Sequence, residues 1–417
     1  MSFGNKVKVA RGEMRRLFPD TPLQLNNYLS NLYDSEIFLK REDLSPVRSY
    51  KIRGAFNAIR AHIAKDPSIQ EFVCASAGNH AQGVAYCCAY FNLKGTIFMP
   101  VTTPQQKISR TKAFGGKNID VKLFGDYFDQ TLKEAIEFAN KNSGIFIPPF
   151  DNANVIEGQA TVMSEIIDQM PDRKSPDLVL LAVGGGGLAS GMVKYARYKA
   201  LTNDFLFAEP KGAASLHAAL SKQKIVRLKK TNNFVDGASV AEIGKLNFSI
   251  LKTFSTEDVK VIEEDRVCST MIEMLNNEGI VLEPAGALAI DALKDLKASE
   301  LIGKKIVCVV SGGNFDFERL PDVKERALRV TGLKKYVILR LPQRPGALKD
   351  FLNLLGPDDD ISRFEYLKKS ARNFGSVLIG IETTTASNFE KLFNRMTESG
   401  FTFEDITDNQ ALKEFVI

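Results

Sequence analysis

Asp177-Leu178-Val179-Leu180-Leu181-Ala182-Val183 runs directly into Gly184-Gly185-Gly186-Gly187-Leu188. A short apolar run bounded by glycines reads as a buried strand. Four glycines followed by a helical pattern let backbone N–H groups close around an anion at the helix N-terminus. A plain strand-to-helix turn rarely needs four glycines in a row, so this stretch reads as a phosphate-binding turn inside an α/β unit.

The same rhythm extends outward in both directions. Ile37–Lys40 reads as a strand, and the helix that starts at Lys51 follows it. Phe72–Ala75 is a strand running into Ser76-Ala77-Gly78-Asn79-His80, with a helix from Ala81 to about Phe91. Gly95–Pro100, Val121–Phe124, Phe205–Ala208 and Lys304–Val310 repeat the short apolar pattern, with helical spacings between several of them. Short buried strands alternating with helices predict a mostly parallel sheet covered on both faces. Ligands in such sheets sit at the carboxyl ends of the strands, where the unusual residues of this chain fall.

One of these is Lys51. In Ser45-Pro46-Val47-Arg48-Ser49-Tyr50-Lys51-Ile52-Arg53-Gly54 it enters the first turn of a helix whose apolar stripe is Ile52, Ala55, Phe56 and Ile59. The positive end of the helix dipole mildly favours its neutral amine, a nucleophile able to form a Schiff base. From this stretch alone an ordinary solvated lysine remains the alternative. Ser311-Gly312-Gly313-Asn314 ends another strand, where a serine can meet an aromatic nitrogen or simply form a turn. Ser76–His80 reads as a helix cap whose donors could hold a carboxylate.

Two chemistries compete for the glycine turn. Gly184, Gly186 and Ala189 satisfy a dinucleotide pattern, and Glu209 after the Phe205–Ala208 strand stands where a ribose would be held. That is the reading of an NAD-dependent oxidoreductase, and it leaves Lys51, Asn79 and Ser311 without work. A lysine, a glycine turn, an asparagine and a serine at strand or helix ends instead suit one phosphorylated aromatic aldehyde.

These four ordered motifs, around Lys51, Asn79, Gly184–Leu188 and Ser311, resemble the fold-type II pyridoxal-phosphate enzymes, and within them the biosynthetic threonine dehydratases. The resemblance covers the chain from about residue 5 to the end. It implies a tryptophan-synthase-β-like core of two parallel-sheet subdomains. It implies Lys51 as the Schiff-base lysine, Asn79 beside the phenolic oxygen of pyridoxal 5'-phosphate, Gly184, Gly185, Gly186, Gly187 and the Leu188 amide around the phosphate, and Ser311 on the pyridine nitrogen. Ser76, Ala77, Gly78, Asn79 and His80 would hold the substrate carboxylate, and Glu283 would lie near the ring. A neutral serine partner leaves the ring a weaker electron sink than an aspartate would, which favours prompt loss of a β-substituent. The implied reaction is dehydration and deamination of L-threonine to 2-oxobutanoate and ammonia, with L-serine giving pyruvate by the same path.

Two departures matter. Related serine racemases carry a second serine where Ala77 stands, so Ala77 argues for elimination over racemisation. Relatives with a divalent-metal site place an acid where Ser215 stands, in the stretch from Glu209, so no metal is expected.

Beyond Lys334 the pattern changes to β-α-β-β-α-β, the order of a ferredoxin-like module. The expected boundaries are a catalytic domain over 1–320, a linker helix over 321–334 and an ACT-like regulatory domain over 335–417. Arg344-Pro345-Gly346-Ala347-Leu348 resembles the ligand loop of that domain, implying control by isoleucine, opposed by valine, in a homo-oligomer, a dimer or a tetramer. A plain dimerisation module, or a non-catalytic amino-acid sensor, is the alternative.

The bulk numbers are those of a soluble globular protein. At 417 residues the chain exceeds one ordinary core. A net charge of +5 with no basic block argues against nucleic acid. No run approaches the roughly 18 apolar residues needed to span a bilayer. Met1–Phe18 has no apolar signal region, and the five cysteines match neither a disulfide framework nor a zinc pattern. A reducing cytoplasm is the expected compartment.

Overall fold

The computed structural model describes residues 1–171, 173–367 and 373–409. The chain divides into two compact units, Met1–Asp316 and Phe317–Ile417. The described residues of the first form ten strands: β1 (Leu23–Leu25), β2 (Glu36–Arg41), β3 (Glu71–Ala75), β4 (Lys94–Met99), β5 (Ile119–Leu123), β6 (Ile145–Phe146), β7 (Leu178–Ala182), β8 (Asp204–Pro210), β9 (Val259–Ile262) and β10 (Lys305–Val310). They form two sheets, as the two parallel-sheet subdomains implied by the resemblance require. The larger has the order β1-β2-β10-β7-β8-β9 and the smaller the order β5-β4-β3-β6. All pairings are parallel except β1 with β2 at the edge.

Strand β7, which leads into the four glycines, lies between β10 and β8, and its Val179, Leu180 and Leu181 are fully buried. A strand covered on both faces reads as a continuous apolar run, which is why the stretch was legible. Each sheet has its own apolar core, around Leu181, Leu188 and Val309 in the larger and around Phe72, Val84 and Ile97 in the smaller. Among the described residues no helix is long and apolar enough to cross a membrane. All five cysteines are free and buried.

Three features hold the helix Lys51–Lys65 in place. Its expected stripe, Ile52, Ala55, Phe56 and Ile59, is buried. Glycines let neighbouring helices approach it closely: a Cβ added at Gly158 would lie 2.4 Å from Arg53 O, and one at Gly83 would lie 3.2 Å from Ile52 N. Beneath it lies a buried ionic cluster. Arg53 donates to Glu42 at 2.7 Å and to Glu165 at 2.6 Å, and Lys40 donates to Glu165 at 2.6 Å. Removing one member would strand a buried charge at a cost of about 3–5 kcal/mol.

In the second unit, helix Leu320–Val330 precedes β11 (Lys334–Pro342), β12 (Asp360–Leu367), β13 (Phe374–Glu382) and β14 (Thr402–Asp405). Helix Ala347–Leu352 joins β11 to β12, and helix Ser387–Glu398 joins β13 to β14. The sheet is antiparallel with the order β12-β13-β11-β14, a ferredoxin-like arrangement. Val337, Leu339, Ile379, Phe389 and Leu392 form its core. The segment expected as a linker carries a helix tied to this unit through Glu325, which accepts from Lys334 at 2.6 Å and from Tyr336 at 2.9 Å. Positions 368–372 and 410–417 of the expected regulatory domain lie outside the described residues.

Candidate active site

The loop after β2 is tied back on itself and across to β10. Ser45 Oγ accepts from the Ser49 amide at 2.9 Å, and Tyr50 N donates to Ser311 O at 3.2 Å. Arg48 takes the left-handed backbone conformation, with φ +56°, and its carbonyl accepts from Gly313 N at 2.9 Å. Lys51 follows as the first residue of its helix. Its Nζ donates to Pro149 O at 3.1 Å and lies 5.3 Å from the centre of the Tyr50 ring. Burial pushes the amine down to about 8 from its ordinary 10.5, against the opposing pull of Glu283. The direction is the one the helix start suggested, but desolvation is the larger cause.

The glycine turn is a donor cradle. Among the described residues, no protein group accepts from the backbone N–H groups of Gly184 to Ala189, the last three of which open helix Gly187–Tyr198. Gly185 to Ala189 are buried. Unpaired buried amides at a helix start form an anion site. Gly186 has φ +87°, which disfavours a side chain. At Gly185 an added Cβ would lie 2.3 Å from the Phe150 ring. Asn247 holds the turn from behind, donating to Gly185 O at 2.7 Å. Phe150 adjoins Pro149, whose carbonyl receives Lys51, so one dipeptide links the amine to the cradle.

A second cradle sits at the end of β3. Ser76 Oγ accepts from Gly78 N at 3.2 Å, while among the described residues the amides of Ala77, Asn79, His80 and Ala81 have no protein acceptor. His80 is buried with its ring nitrogen 2.9 Å from Ile147 O, and burial beside Lys51 pushes it down to about 3. It is therefore neutral and orients the turn instead of titrating.

Between the cradles lies a chain of polar side chains. Asn79 Nδ2 donates to Glu283 Oε1 at 2.7 Å, and Asn79 Oδ1 accepts from Asn314 Nδ2 at 2.7 Å. Asn314 also donates to Val47 O at 2.8 Å. Burial, then the nearby Asp236, pushes Glu283 up to about 7. Ser311 Oγ, buried beside them, donates to Ala285 O at 3.1 Å. The structure thus connects Lys51, Asn79, Glu283 and Ser311, residues from four separate stretches. Pro149, Phe150 and Asn247 carry no chemical motif of their own and were not legible.

Glu209 has other work than the ribose contact of the dinucleotide reading. It is buried, and its two oxygens accept from the Leu216 and His217 amides at 2.8 Å each, fixing the start of helix Ser215–Lys222.

A shielded lysine amine, a glycine cradle of free amides and a second anion cradle define the site of an enzyme that holds a phosphorylated aldehyde. Residues 15–312 match the family model described as pyridoxal-phosphate dependent enzyme, and residues 325–416 match the C-terminal regulatory domain of threonine dehydratase. The chain belongs to the pyridoxal-phosphate-dependent enzymes and, within them, to the biosynthetic threonine dehydratases. It is 43% identical to L-threonine dehydratase biosynthetic IlvA of Halalkalibacterium halodurans over 412 residues, 99% of this chain and 98% of the relative. It is 45% identical to that of Staphylococcus saprophyticus over 410 residues, covering 97% and 96%. The solved processed form of threonine deaminase isoform 2 from Solanum lycopersicum is 32% identical, with a TM-score of 0.70 over 78% of this chain and 92% of that one. The residues present fit the cofactor: the unpaired buried amides would suit a phosphate, and an amine of lowered basicity would suit an aldehyde.

Proposed function

We propose that this protein dehydrates and deaminates L-threonine to 2-oxobutanoate and ammonia, the entry reaction of isoleucine biosynthesis. The observation that carries the reading is the pairing of two unsatisfied amide cradles with one amine of lowered basicity, in a chain whose relatives over its full length are threonine dehydratases.

In this reading Gly184 to Leu188 take the phosphate, Asn79 faces the phenolic oxygen and Ser311 the ring nitrogen. Pyridoxal phosphate, when bound, supplies the electron sink that makes the substrate Cα proton removable. The Ala77, Asn79, His80 and Ala81 amides hold the substrate carboxylate, with the Ser76 hydroxyl at the edge of the turn. Lys51 Nζ takes the Cα proton, a role open to it because burial lowers the basicity of its amine to about 8. Loss of water across Cα–Cβ gives 2-aminocrotonate, which hydrolyses to 2-oxobutanoate and ammonia. Ala77 places no second base on the opposite face, so elimination is preferred to racemisation. L-serine, lacking only the γ-methyl group, would follow the same course to pyruvate.

The second unit is the regulatory part of the proposal. A cavity of about 420 Å³ lies at the Arg344–Leu348 loop, lined by Leu341, Pro342, Ala347, Leu348, Phe364 and Tyr366. Its apolar wall suits the side chain of isoleucine, with valine as the competing effector. Coupling to catalysis requires that isoleucine bind two conformations unequally. Phe364, Tyr366 and Phe374 are exposed on this unit, which suits pairing of copies into a homodimer or homotetramer. A cytoplasmic location accords with five free thiols.

The test is the visible spectrum of the purified protein before and after L-threonine, with 2-oxobutanoate assayed in the same cuvette. A band that shifts while keto acid accumulates is expected. A band without keto acid would overturn the reaction but keep the cofactor, and no keto acid from threonine or serine would sink the dehydratase reading.

A further inference from the structure

The turn after β10 contains a side chain that the mechanism leaves without work, that of Asn314. Its Nδ2 lies 2.8 Å from Val47 O, a main-chain carbonyl that can only accept. That contact decides which end of the Asn314 amide is nitrogen. The same Nδ2 lies 2.7 Å from the Asn79 side chain, so the Asn79 atom facing it is the carbonyl oxygen. Asn79 Nδ2 is thereby turned toward Glu283, 2.7 Å away, and an amide NH₂ has a second hydrogen to give. Amide orientation is normally inferred from hydrogen-bond networks, and here a carbonyl at one end of the chain fixes it. Asn314 also gives its backbone N–H to Glu283, and Arg110 reaches its Oδ1 at 3.5 Å.

We propose that Asn314 is a positioning residue: by donating to both Val47 O and Asn79 Oδ1, it locks Asn79 as a hydrogen-bond donor toward the cofactor. It also ties that donor to the loop that delivers Lys51. The inference rests on the place given above to Asn79 beside the phenolic oxygen. Asn314→Ala removes the lock and lets the Asn79 amide turn over. Asn314→Asp keeps the shape but reverses the polarity, since an ionised carboxylate donates nothing, and it draws the Asn79 NH₂ away from the site.

The experiment uses the full chain freed of cofactor, in five forms: native, Asn79→Ala, Asn314→Ala, Asn314→Asp and the Asn79→Ala/Asn314→Ala double variant. Each is titrated with pyridoxal phosphate by fluorescence quenching, its visible band is followed across neutral pH, and its thermal unfolding is recorded. Loss of one oriented hydrogen bond should weaken cofactor binding about tenfold in Asn314→Ala and more in Asn314→Asp. The pH midpoint of the band should move in the same direction as in Asn79→Ala. In the Asn79→Ala background, Asn314→Ala should add less than about a twofold loss, the signature of two residues acting as one. A full, undiminished effect in that background would overturn the inference and assign Asn314 to the Val47 loop alone. If Asn79→Ala leaves affinity and band unchanged, the role given to Asn79 fails and this inference with it, while keto-acid production reports on the dehydratase reading separately. Should Asn314→Ala not fold, Asn314→Ser, which retains one donor, carries the same comparison.

Discussion

The two amide cradles are built from the same parts and behave as opposites. Both are turns from the end of a parallel strand into a helix, and both present unpaired N–H groups. The Gly184–Ala189 cradle is nearly all buried, with Phe150 against one glycine and Asn247 bonded behind another. The Ser76–His80 cradle is largely half-exposed, and a Cβ added at Gly78 would meet nothing within 4 Å. The first is packed for a resident that stays; the second has room for a guest that arrives and leaves. In the proposed reading it is burial, not donor count, that separates the cofactor site from the substrate site.

Lys51 stands between them, so its loss should have the largest effect. Lys51→Ala should lower threonine turnover by about 10⁴-fold or more while leaving the glycine cradle able to bind phosphate. Turnover within tenfold of the native rate would remove the lysine from the chemistry. Gly185→Ala attacks the packed cradle alone. Its methyl group would press on Phe150, and overpacking of about 1–3 kcal/mol should weaken pyridoxal-phosphate affinity by up to about 100-fold in an equilibrium titration. An unchanged affinity would mean that Phe150 swings away freely and the cradle is not rigid.

A smaller effect should follow pH. Only the neutral Lys51 amine captures the aldehyde, and its basicity is depressed, so the neutral fraction grows as pH rises toward about 8. The rate of cofactor capture by the free protein, followed by stopped-flow absorbance, should rise about tenfold per pH unit below that value and then level off. A rise continuing well past 9 would return Lys51 to an ordinary lysine. Gly78→Ala should have the least effect on the cofactor, with affinity within about twofold of native, yet raise the KM for threonine several-fold as the methyl enters the guest's space. A loss of cofactor affinity equal to that of Gly185→Ala would erase the distinction between the cradles.

Much of this was legible in the chain because it is local. The strand Leu178–Ala182 and its glycines, the stripe behind Lys51 and the β-α-β-β-α-β order are short-range patterns set by burial on one or two faces. That the strands divide into two sheets came from the family resemblance and not from the strand patterns, since a strand does not announce which neighbour it pairs with. The unread part of the site is long-range. Pro149 meets Lys51 across 98 positions, and Asn79 meets Asn314 across 235. Arg53 and Glu165, in sequence two more solvated charges, are buried partners 112 positions apart. The helix Thr161–Gln169, which brings Glu165 in, carries no chemical motif of its own.

The five buried thiols give this molecule a built-in clock. Cys74 and Cys308 lie in the middle strands of the two sheets, Cys87 and Cys88 under the small one, and none has a disulfide to report on. A thiol reagent in solution therefore waits for the chain to open before it can react, and each half of the catalytic unit keeps its own time. Labelling rates read cysteine by cysteine, with and without cofactor, would tell which half breathes first and which is stilled when the packed cradle receives its resident.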